Sequence, residues 1–345
     1  MSLVIRADAT TQIGTGHVMR CMALAQAWQD RGSQVTFLSH CESDSLYRRI
    51  TDEGFSFISI QRSHPDPSDL YMTLESLSAM SSELSSDIWL VLDGYHFTPQ
   101  YQKAIRNGGK RLLVIDDYNH LPHYHADILI NQNIGASSIS YICDPDTIRL
   151  LDCKYALLRR EFLKHKDRSR EISKKAKKVL VTLGGADPEN VTLKVIQGLN
   201  QLNDKGIEVK IVVGPSNPNI QSLWKELSLS TFSFELLTST NEMPDLMAWA
   251  DIAVSGGGTT CWELAFMGVP TLVITIAENQ KAVGLGLQSA GAAIDLGESD
   301  TIDIANFAMI LNELLFDFAR RDEISINAMR LVDGKGTNRL MSFFK

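Results

Sequence analysis

Short runs rich in β-branched residues recur along the whole chain, each followed by a longer stretch of helical periodicity, and this alternation constrains the fold more than any other feature. The runs fall at 3–8, 34–40, 55–60, 87–93, 111–116 and 126–131, and again at 178–183, 208–213, 232–237, 251–255 and 270–276. Most are apolar nearly throughout, as expected of strands buried on both faces, so the pattern predicts parallel sheets covered by helices. At 345 residues the chain is too long for one such core. The predicted class is α/β, with two doubly wound domains.

The boundary is expected in 159–178 (RREFLKHKDRSREISKKAKK), which holds ten Lys or Arg against three Asp or Glu. That gives an N-terminal domain over 1–158, a basic linker over 159–178 and a C-terminal domain over 179–345, whose helix-like tail at 338–345 is a candidate to pack back on the first. Such charge runs are mostly solvated helix and linker; contact with anionic lipid or an acidic neighbour is the other reading. Both flanking domains are acidic, and the whole chain carries a net charge of −8. Proteins that neutralise phosphates along a nucleic acid usually carry a basic excess, so a small-molecule partner is expected and nucleic acid is not. The five cysteines are scattered and contain no CxxC pair, which fits neither a disulfide framework nor a zinc ribbon. No apolar stretch reaches the ~18 residues of a membrane span. The first residues enter a strand without a basic and apolar leader, so a cytoplasmic protein without stable membrane insertion is expected.

Between the first strand and a helix lies Gly14-Thr15-Gly16-His17-Val18-Met19-Arg20. A dinucleotide fingerprint would need a third glycine where Met19 stands, and an acidic residue where the second strand ends in Leu38-Ser39-His40. The loop instead offers a histidine at a helix start, where the positive end of the macrodipole disfavours the imidazolium and leaves His17 a candidate proton acceptor. A packing or capping role for His17 is the alternative. Arg20, one turn on, is suited to a phosphate, a carboxylate or a salt bridge.

A second loop, Ser255-Gly256-Gly257-Gly258-Thr259-Thr260, again joins a strand to a helix. Its glycines leave bare amides at a helix start, an arrangement suited to a diphosphate. Glu263, in the first turn, is placed to accept from ribose hydroxyls or simply to favour the helix dipole. No GxxxxGK[ST] occurs, so this is not a Walker site. A nucleotide held at the carboxyl ends of a second α/β domain points to a nucleotide-sugar enzyme. Strand ends of the first half add Asp8, Tyr95 with His96, Asp116 with Asp117, and Asn131 with Asn133; the alternative for each acid or amide is a turn or cap. His120, His123 and His125 match no common zinc spacing and flank Pro122, so no metal ligand set is expected.

The run Arg6-Ala7-Asp8 through Gly14 to Arg20, with Ala156-Leu157-Leu158-Arg159-Arg160-Glu161-Phe162, Leu183-Gly184-Gly185-Ala186-Asp187 and Glu278-Asn279-Gln280, resembles the UDP-2,4-diacetamido-2,4,6-trideoxy-β-L-altropyranose hydrolases of pseudaminic acid biosynthesis. Proteins of spore-coat polysaccharide synthesis carry the same signature. This sequence differs at Gly256-Gly257-Gly258, where small hydroxyl residues are more usual. The resemblance implies a GT-B-like architecture, with two Rossmann-like doubly wound domains facing a central cleft. It also implies metal- and cofactor-independent hydrolysis at the anomeric C–O bond with inversion, from a UDP-sugar substrate to UDP and free sugar. On this reading His17 is the catalytic base. The substrate contacts are Asp8, Gln12, Gly14, Gly16, Arg20 and Tyr95 from the first domain, and Gly184, Gly185, Gly257, Gly258, Thr259, Thr260, Glu263, Asn279 and Gln280 from the second. A GT-B glycosyltransferase, an epimerase of the same fold and a non-catalytic nucleotide-sugar binder are the alternatives.

Overall fold

The computed structural model describes residues 2–84, 87–185, 187–202, 204, 206–214, 217–238 and 240–344, so Ala186 and Lys345 lie outside the described residues. The chain divides into two compact units, Met1–Arg160 with Lys335–Lys345, and Glu161–Gly334.

The first unit holds β1 (Ser2–Ala7), β2 (Val35–Ser39), β3 (Ser56–Ser59), β4 (Ile88–Asp93), β5 (Arg111–Ile115), β6 (Ile128–Asn131) and β7 (Ile148–Leu151), in the order β3-β2-β1-β4-β5-β6-β7. Every pairing is parallel. The strand order reverses between β1 and β4, where Ala7 lies beside Asp93. Alternation along these strands divides their side chains between two cores. Leu3, Ile5 and Ala7 of β1, with Trp89 and Val91 of β4, pack with the helix Gly16–Gln29. Val4, Leu90 and Leu92 enter the opposite core with Leu77 and Tyr101. The six strands expected in this half are present, while β7 was not anticipated: its IRLL is short and begins with two exposed residues.

The chain returns to this unit at its far end. Leu340, Met341 and Phe344 lie in the β1 core, and the Phe344 ring meets Trp28 and Trp89 edge-on at 4.6 and 4.7 Å between centroids. Gly336 opens the helix Gly336–Met341 directly against the Ala156 backbone, where a Cβ would collide with the Ala156 carbonyl.

The second unit repeats the plan with β8 (Lys178–Thr182), β9 (Glu208–Val212), β10 (Ser233–Leu237), β11 (Ile252–Gly256), β12 (Thr271–Thr275) and β13 (Ile294–Glu298), ordered β10-β9-β8-β11-β12-β13 and all parallel. Here β13 was not anticipated, since Asp295 and Gly297 break its apolar run.

The basic run 159–178 is helical only over Arg160–Leu163, and from Glu161 onward it belongs to this unit. Phe162 is fully buried with Leu180, Met247 and Leu264. Arg170 donates to the carbonyls of Met247 and Met267 at 3.2 and 3.3 Å, and to that of Ala250. These carbonyls end the helices Met243–Trp249 and Thr260–Phe266, so a guanidinium satisfies acceptors that helix termini leave open. Burial brings the Arg170 pKa down to about 10. No helix among the described residues is long and apolar enough to cross a membrane.

Phe344 fills a slot between two tryptophans, so Phe344→Ala is expected to cost about 3–5 kcal/mol and to shift the urea midpoint read by tryptophan fluorescence. An unchanged midpoint would place the C-terminal segment outside the first unit's core.

Candidate active site

The first unit gathers its polar groups where β1 and β4 part company, the position at which open α/β sheets bind ligands. After β1 the chain turns through Gly14, at φ +75°, a left-handed conformation that glycine adopts without strain. Thr15 precedes the helix Gly16–Gln29, which places His17 in the first turn and Arg20 one turn on. By strand parity Asp93, the last residue of β4, falls on the face covered by this helix.

Asp93 is wholly buried and surrounded by donors. Arg20 Nε and Nη2 each reach it at 2.6 Å, His17 Nδ1 at 2.6 Å and Cys21 Sγ at 3.4 Å. Burial works against its charge, but Arg20 and then His17 outweigh burial and hold the carboxyl well below the usual carboxylate range. Arg20 Nη2 also lies 3.2 Å from His17 Nδ1. An ionised Asp93 can only accept, so the short 2.6 Å contact puts the proton on Nδ1, which donates it to Asp93, and the longer Arg20 approach is then a close contact rather than a hydrogen bond. That tautomer leaves Nε2 with a lone pair, and it has no partner among the described residues. The His17 side chain is 10% exposed.

Arg20 continues to Asp117, with Nη1 at 2.8 and 2.9 Å from its two oxygens. The guanidinium thus engages two internal carboxylates, the salt bridge among the three readings of this residue. Asp117 also accepts from the Tyr95 hydroxyl and from Asn133 Nδ2 at 3.0 Å. The Tyr95 ring stands edge-on to His17 at 4.9 Å between centroids, and near Tyr118 and His120 at 5.1 and 5.4 Å. His120 forms a second pair of the same kind, its Nδ1 2.5 Å from Asp116 Oδ1, and its buried Nε2 lacks a partner among the described residues. Asp116 also accepts from the hydroxyls of Tyr124 and Tyr141 at 2.8 and 2.7 Å. Asn131 binds Tyr141.

Asp8 departs from the expected sugar contact. Positions 4, 6 and 8 share a strand face, so Asp8 lies with Arg6 on the side opposite His17's helix. Both of its oxygens engage Arg6, the His40 N–H donates to it at 2.7 Å, and His96 Nε2 lies 3.0 Å away. Arg6 is paired in turn with Asp69, which accepts from Tyr101. The cluster is enclosed, and through His96 it holds the loop that carries Tyr95. Gln12 and Gly16 are exposed at the loop surface.

In the second unit the strand order reverses between β8 and β11, and the expected glycines follow these two strands. Gly184 and Gly185 come after β8, with Gly184 at φ +93°. Gly257 to Thr260 come after β11. The bare-amide expectation needs correction at Gly257, whose N–H donates to Gln280 Oε1 at 3.0 Å, while the Ile276 N–H donates to the same oxygen at 3.1 Å. Gln280 thus ties the β11 and β12 loops together rather than offering its carbonyl oxygen to a ligand. The N–H groups of Gly258, Thr259 and Thr260 have no acceptor among the described residues. Glu263 sits in the first turn of the helix Thr260–Phe266, and Asn279 beside Gln280 in a short 3-10 turn.

Residues 178–311 match the glycosyltransferase family 28 C-terminal domain. The chain is 24% identical to the spore coat polysaccharide biosynthesis protein SpsG of Bacillus subtilis, over 100% of this chain and 98% of that one. It is also 24% identical to the UDP-2,4-diacetamido-2,4,6-trideoxy-β-L-altropyranose hydrolase of Campylobacter jejuni, over 86% of this chain and 99% of the relative. To the uncharacterized protein MJ1062 of Methanocaldococcus jannaschii it is 27% identical over 81% of its length, and it spans 57% of that longer protein. Among solved structures, MurG of Acinetobacter baumannii superposes with a TM-score of 0.66 at 15% identity, covering 99% of both chains. The S. aureus MnaA–UDP co-structure gives 0.67 at 12% identity, covering 99% of this chain and 95% of that one. The fold is that of two Rossmann-like α/β domains of the GT-B type.

Asp8, Asp93 and Asp116 are all held below the usual carboxylate range. A depressed folded pKa stabilises above the unfolded value, roughly 4, and this contribution is lost as pH falls further. The urea midpoint of the first unit is therefore expected to drop between pH 5 and pH 3. Asp93→Asn is expected to cost about 3–5 kcal/mol at pH 7 by uncovering Arg20, and to show a shallower acid loss. Equal acid slopes in wild type and variant would remove Asp93 from this account.

Proposed function

We propose that this chain hydrolyses a UDP-linked 2,4-diacetamido-2,4,6-trideoxy sugar at its anomeric C–O bond with inversion. The observation that carries the reading is the Asp93–His17 pair with Nε2 unpartnered at the head of a helix. Asp93 fixes the tautomer and favours the imidazolium that forms when Nε2 takes a proton. A water oxygen bonds to the anomeric carbon and gives its proton to His17 Nε2. The bond from that carbon to the diphosphate oxygen breaks, and its electron pair leaves with UDP. A glycosidase must protonate a poor alkoxide leaving group. UDP departs as a stable anion, so a single base suffices and the step calls for no metal or cofactor.

The second unit supplies the nucleotide contacts in this reading. The N–H groups of Gly258, Thr259 and Thr260 bind the diphosphate, Glu263 the ribose, and Gly184, Gly185 and Asn279 line the same strand ends. Tyr95 and His120 position the acetamido arms in the first unit, while Asp8 and Arg20 hold the elements that carry Tyr95 and His17. The Campylobacter relative's name and extent support the substrate class. The family 28 match supports a second reading, transfer of the sugar to an acceptor hydroxyl by the same base.

Purified protein with the UDP-linked diacetamido sugar, EDTA and no acceptor is expected to release UDP and free sugar, followed by NMR, with solvent ¹⁸O entering at the anomeric carbon. Absence of turnover without an acceptor would leave the transferase reading in its place. His17→Asn is expected to lower kcat by ~10²–10⁴ with UDP binding retained, and Asp93→Asn to lower it by at least ~10²; near-normal turnover in either variant would refute the base assignment. Gln280→Ala strands two N–H groups, and a loss of ~1–3 kcal/mol in UDP affinity is expected by calorimetry.

A further inference from the structure

We propose that His123, His125 and Asp144 form a binding site for a divalent transition metal of the zinc class, separate from the candidate active site. The spacing of His120, His123 and His125 gives no hint of it, because the third ligand comes from elsewhere in the chain and His120 is committed to Asp116. Tyr124 pairs with Cys143 in an isolated parallel bridge. His123 and His125 flank Tyr124 at i and i+2, on one side of extended chain, and Asp144 follows the bridge partner directly.

Both imidazoles are aimed at one atom. His123 Nε2 lies 2.8 Å and His125 Nδ1 2.9 Å from Asp144 Oδ1, and the ring centroids are 4.3 Å apart. The three donor atoms all lie within 4.8 Å of one another. With metal–ligand bonds of ~2.0–2.2 Å the donors would stand ~3.3–3.5 Å apart, so the two contacts to Asp144 Oδ1 would widen by about half an ångström to admit an ion. A metal-bound imidazole carries its proton on its other ring nitrogen. Two imidazole nitrogens and one carboxylate oxygen suit zinc-class ions rather than magnesium or calcium.

The surroundings hold the ligands in place. Arg106 Nη1 binds the other Asp144 oxygen at 2.7 Å and turns Oδ1 toward the histidines, while Gln102 Oε1 accepts from the His125 N–H at 2.9 Å. Such outer contacts orient metal ligands. Asp127 and Asp146 also face Arg106, and Arg111 faces Asp127. The side chains of His123 and His125 are 36% and 23% exposed, which leaves an entry path. Cys143 packs against the core that holds Val4, Leu90 and Leu92 and stays outside the ligand set.

The test is titration of EDTA-dialysed protein with ZnCl₂ by calorimetry and with CoCl₂ by visible absorption. One equivalent is expected to saturate wild type, to raise its Tm, and to give the cobalt spectrum of a four-coordinate N/O site. His123→Gln with His125→Gln, and separately Asp144→Asn, are expected to weaken binding roughly tenfold or more; Cys143→Ser is expected to bind as wild type. Circular dichroism and the urea midpoint in EDTA check that each variant is folded. Failure of wild type to take up one equivalent, undiminished binding by both ligand variants, or loss of binding in Cys143→Ser would each overturn the proposal.

Discussion

The first unit depends on a single buried carboxylate. Asp93 would be costly to ionise in its position at the end of β4, and it is ionised because Arg20, His17 and Cys21 all turn their donors to it. In return it neutralises an arginine that burial would otherwise exclude, and it decides which nitrogen of His17 carries the proton. Sheet order and parity make this possible. The β1–β4 pairing brings the strand end beside the loop that carries His17, and alternation turns Asp93 toward the covering helix rather than away from it. A charge that would weaken a core elsewhere here joins strand, helix and candidate base into one electrostatic unit.

The two units reach their loops by different physics. In the first, position is set by ions: Arg6 with Asp8 and Asp69 behind the sheet, Arg20 with Asp93 and Asp117 in front. In the second it is set by backbone, since the β11 and β12 loops are joined through one amide oxygen of Gln280. In the proposed function, a diphosphate bound by N–H groups needs donors held still more than it needs net charge. This fits an acidic chain whose concentrated run of positive charge is partly spent on helix ends, by Arg170.

The strands were legible because parallel strands buried on both faces are apolar throughout, and β7 and β13 escaped because a short or interrupted run carries too little of that signal. The position of His17 at a helix start could be read from its place between strand and helix. Asp93 could not, since an aspartate closing a strand reads as a turn until its neighbours are known. The pairing of Asp8 with Arg6 was available from parity, since counting by twos from Val4 places the two on one face. The occupied amide of Gly257 depends on a residue 23 positions away, and the histidine pair depends on Asp144. Local spacing records neither kind of partnership, because each is created when the chain folds.

The return of residues 335–345 to the first unit orders events during synthesis. Phe344, which fills the slot between Trp28 and Trp89, is separated in sequence from the rest of its unit by the whole of Glu161–Gly334, so this contact cannot form before that segment has been made. The second unit is contiguous, whereas the unit bearing the histidine is closed by a segment from beyond it. Residues on the far side of the second unit in sequence therefore complete the core of the first.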